Sequence, residues 1–289
     1  MTLSESMWAL TWRRFRRSKL ATASLVYIAV ITLVAVLAPL LAGPGRAAVP
    51  YGPNAPDLVH RLAPPDARHH FGTDDLGRDV LARLIHGARV SLSVGFAATL
   101  ISLIIGSVLG ALAGYYGGAV DWVISRLIEI VLCFPFLFLV LGIVALFRPS
   151  FWTIMIALGL TSWTTEARYI RAEFLRIRDM EFAQAARASG AHDLRIIFRH
   201  LLPNALAPVL VSASFGVASA ILTESALSFL GLGVAVPTAS WGSILSVAEQ
   251  YIEYAWWLVL FPGLAIFTTV AAFNIIGDRF RDALDPRSD

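Results

Sequence analysis

Lysine is nearly absent from this chain: Lys19 is the only one in 289 residues, and arginine supplies the remaining basic charge behind a net +3. A phosphate-binding loop of the Gly-x4-Gly-Lys-Ser/Thr type needs a lysine followed by a hydroxyl residue. Lys19 is followed by Leu20, so such a loop is excluded and any ATP must be held by another polypeptide. Cysteine is as scarce. Cys133 stands alone, which excludes an intrachain disulfide and a thiolate zinc cluster. Charged residues make up only 15% of the chain, against about a quarter in a soluble domain. No Gly-x-Ser-x-Gly or His-Glu-x-x-His pattern occurs, and His69-His70 sit in a polar loop without a spaced third ligand. Glu166 and Glu173 lie among arginines, where charge pairing accounts for them. Neither catalysis nor a metal site is indicated.

What the chain has is apolar sequence, 57% of all residues, gathered into long runs. A membrane-crossing helix needs about 20 mostly apolar residues. Residues 20–41 supply the first run, longer than the roughly 7–15 residues of a signal-peptide core and therefore a retained span. Further runs cover 88–113, two within 120–169 divided by a turn at Arg148-Pro149-Ser150, 205–236 and 255–276. The run 205–236 exceeds one crossing, so its helix either tilts strongly or breaks near Gly231-Leu232-Gly233. The expectation is an all-α membrane protein with six transmembrane helices.

Arginine sets the orientation. Arg13, Arg14, Arg16 and Arg17 precede the first span; Arg168, Arg171, Arg176, Arg178, Arg187, Arg195 and Arg199 separate the fourth from the fifth; Arg279, Arg281 and Arg287 follow the last. Six crossings put all three regions on one side, and the positive-inside rule makes that side the cytoplasm, with both termini there. The basic pI reflects this topology and not nucleic-acid binding. The resulting plan is a basic tail (1–19), a first helix (20–42), a proline-rich external loop (43–87), a core of five further helices (88–277) containing a cytoplasmic loop (171–204), and a cytoplasmic tail (278–289).

Within the spans, Gly106, Gly110 and Gly114 recur every four residues and give one helix a smooth face for close packing, inside the subunit or against a second one. Glu129 and Glu224 are the ionisable residues that fall deepest in apolar runs, candidates for a pathway or for structural pairing. Phe134, Phe136 and Phe138 flank Pro135 and suit either a pathway or lipid.

The polar stretch from Glu181 to Asn204 is the most informative. Its alanine-rich first part favours helix, and Gly190 suits the left-handed turn that ends one. A second short helix is expected from Ala191 to Leu202, ending before Pro203, with Leu194, Ile197, Phe198 and Leu201 on one face. Such a helix either lies at the lipid interface or fills a groove on a partner.

Gln184, Ala185, Ala186, Gly190, Leu202 and Pro203 have the spacing of the loop that marks permeases of ATP-binding-cassette importers, with glutamine in place of the family's glutamate and His200 in place of its isoleucine. His70-Phe-Gly-Thr-Asp-Asp-Leu-Gly-Arg-Asp79, Gly114-Tyr-Tyr-Gly-Gly118, Thr223-Glu-Ser-Ala-Leu-Ser-Phe-Leu-Gly-Leu-Gly233 and Asp282-Ala-Leu-Asp-Pro286 resemble further blocks of the second permease of dipeptide, oligopeptide and nickel importers. The resemblance implies a type I importer permease fold in a bacterial cytoplasmic (inner) membrane. It implies a related permease as partner, two ATPase subunits that bind ATP and magnesium, and an extracytoplasmic substrate-binding protein that the external loop meets. The cargo implied is peptide; a nickel complex, glutathione or an oligosaccharide are the family's alternatives. The coupling helix would comprise Asp193, Leu194, Ile197, Phe198 and Leu201 beside the motif residues, seated in a cleft of one ATPase. An ion-coupled carrier would instead place titratable groups at the membrane midplane, and a channel or receptor component would pass its solute passively.

Overall fold

The computed structural model describes residues 7–147 and 150–284. In chain order the helices are α1 (Met7–Arg17), α2 (Lys19–Val36), α3 (Ala38–Leu41), α4 (Val80–Tyr116), α5 (Gly118–Leu132), α6 (Phe136–Leu146), α7 (Phe151–Ile177), α8 (Glu181–Ala188), α9 (Asp193–Arg195), α10 (Leu202–Phe229), α11 (Trp241–Ala248) and α12 (Trp257–Leu284). No strand forms among the described residues. Lys19–Val36, Val80–Tyr116, Val209–Phe229 and Trp257–Leu284 are long and apolar enough to cross a membrane, and α5 with α6 makes a fifth such unit, bent by 85°. Their outward faces are aliphatic: Val26, Val30 and Leu33 of α2 and Leu100 and Ile104 of α4 are all exposed. Surfaces of that kind are stable only against lipid or another apolar partner.

Residues 42–79 fold over one end of the bundle. Asp74 accepts hydrogen bonds from the backbone N–H of Leu76 and Arg78, both at 2.9 Å, and from Arg78 Nε at 2.7 Å. The loop clamps the start of α12: Trp257 Nε1 donates to the Thr73 carbonyl at 3.0 Å, and Phe71 stacks on Phe261 at 3.9 Å. His69, expected in solvent, is buried and bonds Asp79 through Nδ1 at 2.8 Å. The other oxygen of Asp79 accepts from the Ala82 N–H at 2.7 Å and caps α4. That cap explains why α4 begins at Val80, not at 88: the polar residues ahead of the apolar run already belong to the helix. Outside the helices, Asp66 is held below the ordinary carboxylate range, chiefly by the backbone N–H of His69.

α4 and α12 both start at the loop end and run to the opposite end. There α1 packs on α12 through Phe15 and Phe280, whose rings meet edge-on at 6.1 Å. α4 is also the pillar of the molecule, since α7 and α10 lie along it and α2 closes one flank. Gly106, Gly110 and Gly114 form its contact with α7. A Cβ added to Gly106 would stand 2.5 Å from Glu166 Cβ, and one on Gly114 the same distance from Phe174 Cβ. Only hydrogen in place of the side chain permits this approach.

Two expectations resolve in a definite way. The apolar run 205–236 breaks: α10 ends at Phe229, Gly231 takes φ +77°, and α11 follows separately. The segment expected as a plain third crossing bends sharply, because Pro135 lacks an N–H and disfavours α conformation in Phe134 before it. The expected turn at Arg148-Pro149-Ser150 rests on 148 and 149, which lie outside the described residues, while Ser150 caps α7 by accepting from the Thr153 N–H at 3.1 Å.

Candidate functional site

The stretch 181–202 sits at the end of the bundle opposite the folded loop, fixed to α4 and α7. The Tyr115 hydroxyl donates to Asp193 Oδ1 at 2.7 Å, and the Arg187 guanidinium covers the Tyr115 ring at 5.4 Å. Arg178 Nη1 donates to the Gly114 carbonyl at 3.0 Å. Arg171 makes a two-pronged pair with Asp121, at 2.5 and 2.7 Å, joining α7 to the start of α5. Paired prongs of this sort fix orientation as well as distance. Asp193 therefore acts as a tether within the chain.

α8 ends where its sequence implies. Gly190 adopts φ +76°, a conformation that penalises any side chain. Gln184 is exposed, and its Nε2 donates to the Asp179 carbonyl at 2.9 Å, closing the turn ahead of α8. A glutamate at this position has no hydrogen to give, so glutamine supplies a local bond that the ionised residue cannot. Ala185 is exposed and Ala186 half-buried.

After Gly190 the structure departs from expectation. α9 passes into a single π turn, Ile196–Leu201, in which the Leu202 N–H reaches back five residues to the Ile197 carbonyl. The helix does not stop before Pro203. Pro203 lies in the first turn of α10, directly after the π turn, and the helical course continues through it. The wider π turn also splits the expected apolar face. Ile196, Ile197 and Leu201 are fully buried against Ile170, Phe174 and Ile177 of α7, whereas Leu194 and Phe198 are 61% and 45% exposed. Ile197 and Leu201 thus belong to the core of this chain and are withdrawn from any partner surface. The outward apolar pair is Leu194 and Phe198, at i and i+4, with Arg195 and Arg199 exposed beside them.

A second site lies inside the bundle. A cavity of about 420 Å³ opens between α4, α7, α10 and the α5–α6 bend, with Phe134 and Phe136 on its rim. Neither of the acidic residues singled out in the sequence lines it. Glu129 is on an exposed face of α5, 2.5 Å from Arg126 Nη1. Glu224 is enclosed by hydroxyls: Ser91 donates to it at 2.9 Å and Ser228 at 2.7 Å, while Ser91 also accepts from the Trp241 N–H at 3.3 Å. Glu224 thereby joins α4, α10 and α11. The acidic residue that lines the cavity is Glu166, buried, and bonded by Ser212 Oγ at 2.5 Å; among the described residues no arginine reaches it, contrary to expectation. Its sequence signal was the polar run Thr161-Ser162-Trp163-Thr164-Thr165-Glu166 inside an apolar helix.

Replacing Glu224 by alanine strands buried serine hydroxyls, each costing about 1–3 kcal/mol. Glu224→Ala should lower the detergent melting temperature of the purified subunit by several degrees. Glu129→Ala should leave it unchanged, because an exposed ion pair contributes only ~0–1 kcal/mol.

Residues 106–289 match the family of binding-protein-dependent transport system inner membrane components, and residues 6–65 match the N-terminal TM domain of oligopeptide transport permease C. The chain is 44% identical to a dipeptide transport system permease protein DppC of Alkalihalophilus pseudofirmus, over 98% of this chain and 90% of that one. It is 38% identical to the oligopeptide transport system permease protein OppC of Bacillus subtilis, over 98% and 91%. Among solved structures, a chain of the inward-facing MetNI methionine ABC transporter superposes with TM-score 0.56 at 21% identity, covering 70% of this chain and 96% of that one.

Proposed function

Because this chain belongs to the family of binding-protein-dependent transport system inner membrane components, we propose that it is one of two related permease subunits of an ATP-driven peptide importer in a bacterial cytoplasmic membrane. Counting α7 and the bent α5–α6 unit, six helices cross the membrane. Arginine then puts α1, the stretch 181–202 and the end of α12 in the cytoplasm, and the folded loop 42–79 outside, where it meets the substrate-binding protein. The peptide cargo is argued from the relatives, named for dipeptide and oligopeptide transport.

The observation that carries the mechanism is the outward pair Leu194 and Phe198 on a turn bolted to α4 and α7. A cleft on an ATPase that takes these two side chains moves two long helices whenever it moves. ATP and magnesium bind on the ATPase pair; closure brings its clefts together, and the permeases rock to open the pathway outward. Hydrolysis reverses the motion. This chain contributes shape, a rigid tether and half of a pathway, with no covalent chemistry.

The test is co-purification followed by reconstitution. Tagged chain should bring down an ATPase and a second permease in mild detergent. Liposomes carrying the complex with ATP inside and binding protein outside should accumulate dialanine in the presence of a protonophore. Uptake that the protonophore abolishes, with no ATPase in the preparation, would assign the chain to ion-coupled carriers.

A further inference from the structure

We propose that the cavity beside the α5–α6 bend is a transit site for the cargo, in which Glu166 receives the α-ammonium of a peptide; this rests on the peptide-importer reading above. The cavity's volume lies within the ~300–1,000 Å³ of small-molecule sites. Glu166 stands fifteen residues beyond Phe151 along α7, ~22 Å of helical rise, and so lies well away from both helix ends.

The two buried glutamates differ in a way that separates structure from function. Glu224 has both oxygens taken by serine hydroxyls of this chain, on α4 and α10. Glu166 receives one bond, from Ser212 to Oε2, and its Oε1 takes none among the described residues. An ionised carboxylate accepts at about four lone-pair positions, and one buried without a cation is costly. The only lysine, Lys19, is the first residue of α2, and no arginine among the described residues pairs with this carboxylate.

A peptide amino terminus provides the missing partner, an ammonium with three donors and a positive charge for Glu166. Phe134 and Phe136 on the rim offer apolar area to its side chains. The site needs no side-chain selectivity, because every peptide with a free amino terminus carries the recognised group.

The experiment uses the whole importer in liposomes, with its binding protein and with labelled dialanine and alanyl-lysine as probes. Glu166→Gln keeps the acceptor for Ser212 and removes only charge. Uptake of both probes should fall at least tenfold and by the same factor. Cargo-free ATP hydrolysis, subunit assembly and probe affinity of the binding protein should stay unchanged, and Glu166→Asp should recover part of the rate. Full activity in the glutamine variant overturns the proposal, as does a loss confined to alanyl-lysine, which assigns the site to a side-chain ammonium. Loss of the second permease from the complex also overturns it, by making Glu166 a subunit contact. Wild-type importer that carries neither probe refutes the peptide reading itself.

Discussion

Replacing Leu194 and Phe198 together by aspartate should cut ATP-driven uptake at least a hundredfold while leaving the subunit inserted, folded and present in normal amount. Both side chains are exposed, so the substitution removes far less internal packing than a change at a fully buried neighbour. Two carboxylates in an apolar cleft are strongly disfavoured, and the ATPase should co-purify weakly or not at all. Ile197→Asp behaves differently. Ile197 is fully buried beside Ile170 and Phe174, and a charge there is unpaired. That variant should be lost from the membrane, which separates a docking defect from a folding defect. Blue-native electrophoresis of the two variants, alongside uptake, reads the difference.

The row of glycines on α4 gives the second large effect. A Cβ on Gly110 would run into the Ala167 carbonyl and approach Ile170 Cβ to 2.9 Å, backbone and β-branched groups that cannot swing aside. Gly110→Leu should therefore cost about 3 kcal/mol or more, the upper end of overpacking penalties. The folded subunit should accumulate at under a tenth of its normal level, measured by fluorescence-detected size exclusion. Gly142 on α6 is the control: a Cβ there meets nothing within 4 Å, so Gly142→Leu should be tolerated. The clash on Gly106 falls on Glu166 itself, so the same helix contact that holds α4 against α7 also sets the carboxylate in the cavity.

Hydropathy was a good guide to which segments are helical and a poor one to how they turn. The apolar runs that became α2, α4, α10 and α12 stand out because lipid-facing helices have no polar face to blur them. α4 starts eight residues before its apolar run, because its first turns, from Val80 to Gly87, carry Arg83 and His86 and read as loop; the cap by Asp79 is the signal that marks the true start. The face Leu194–Ile197–Phe198–Leu201 failed for a sharper reason. It assumed 3.6 residues per turn, and the π turn ahead of Pro203 breaks that period and sends Ile197 and Leu201 inward. Glu166 is bonded by Ser212 and not by the arginines near it in sequence. Neighbours two residues apart on a helix face different ways, so Arg168 is exposed while Glu166 turns to the cavity. In each case the residues were visible and the register was not.

Docking of an ATPase on the exposed side of the turn after Gly190 is open to direct test. Single cysteines at that turn test it most directly, in a Cys133→Ser background, within the assembled complex and with a short bifunctional thiol-to-amine reagent. Leu194→Cys and Phe198→Cys should each give an adduct of this chain with the ATPase subunit, increased or diminished by ATP, and Ile197→Cys should give none. Efficient labelling of the Leu194→Cys and Phe198→Cys variants by membrane-partitioning maleimides, with no ATPase adduct from either, would place this turn in the lipid interface and rule out docking there.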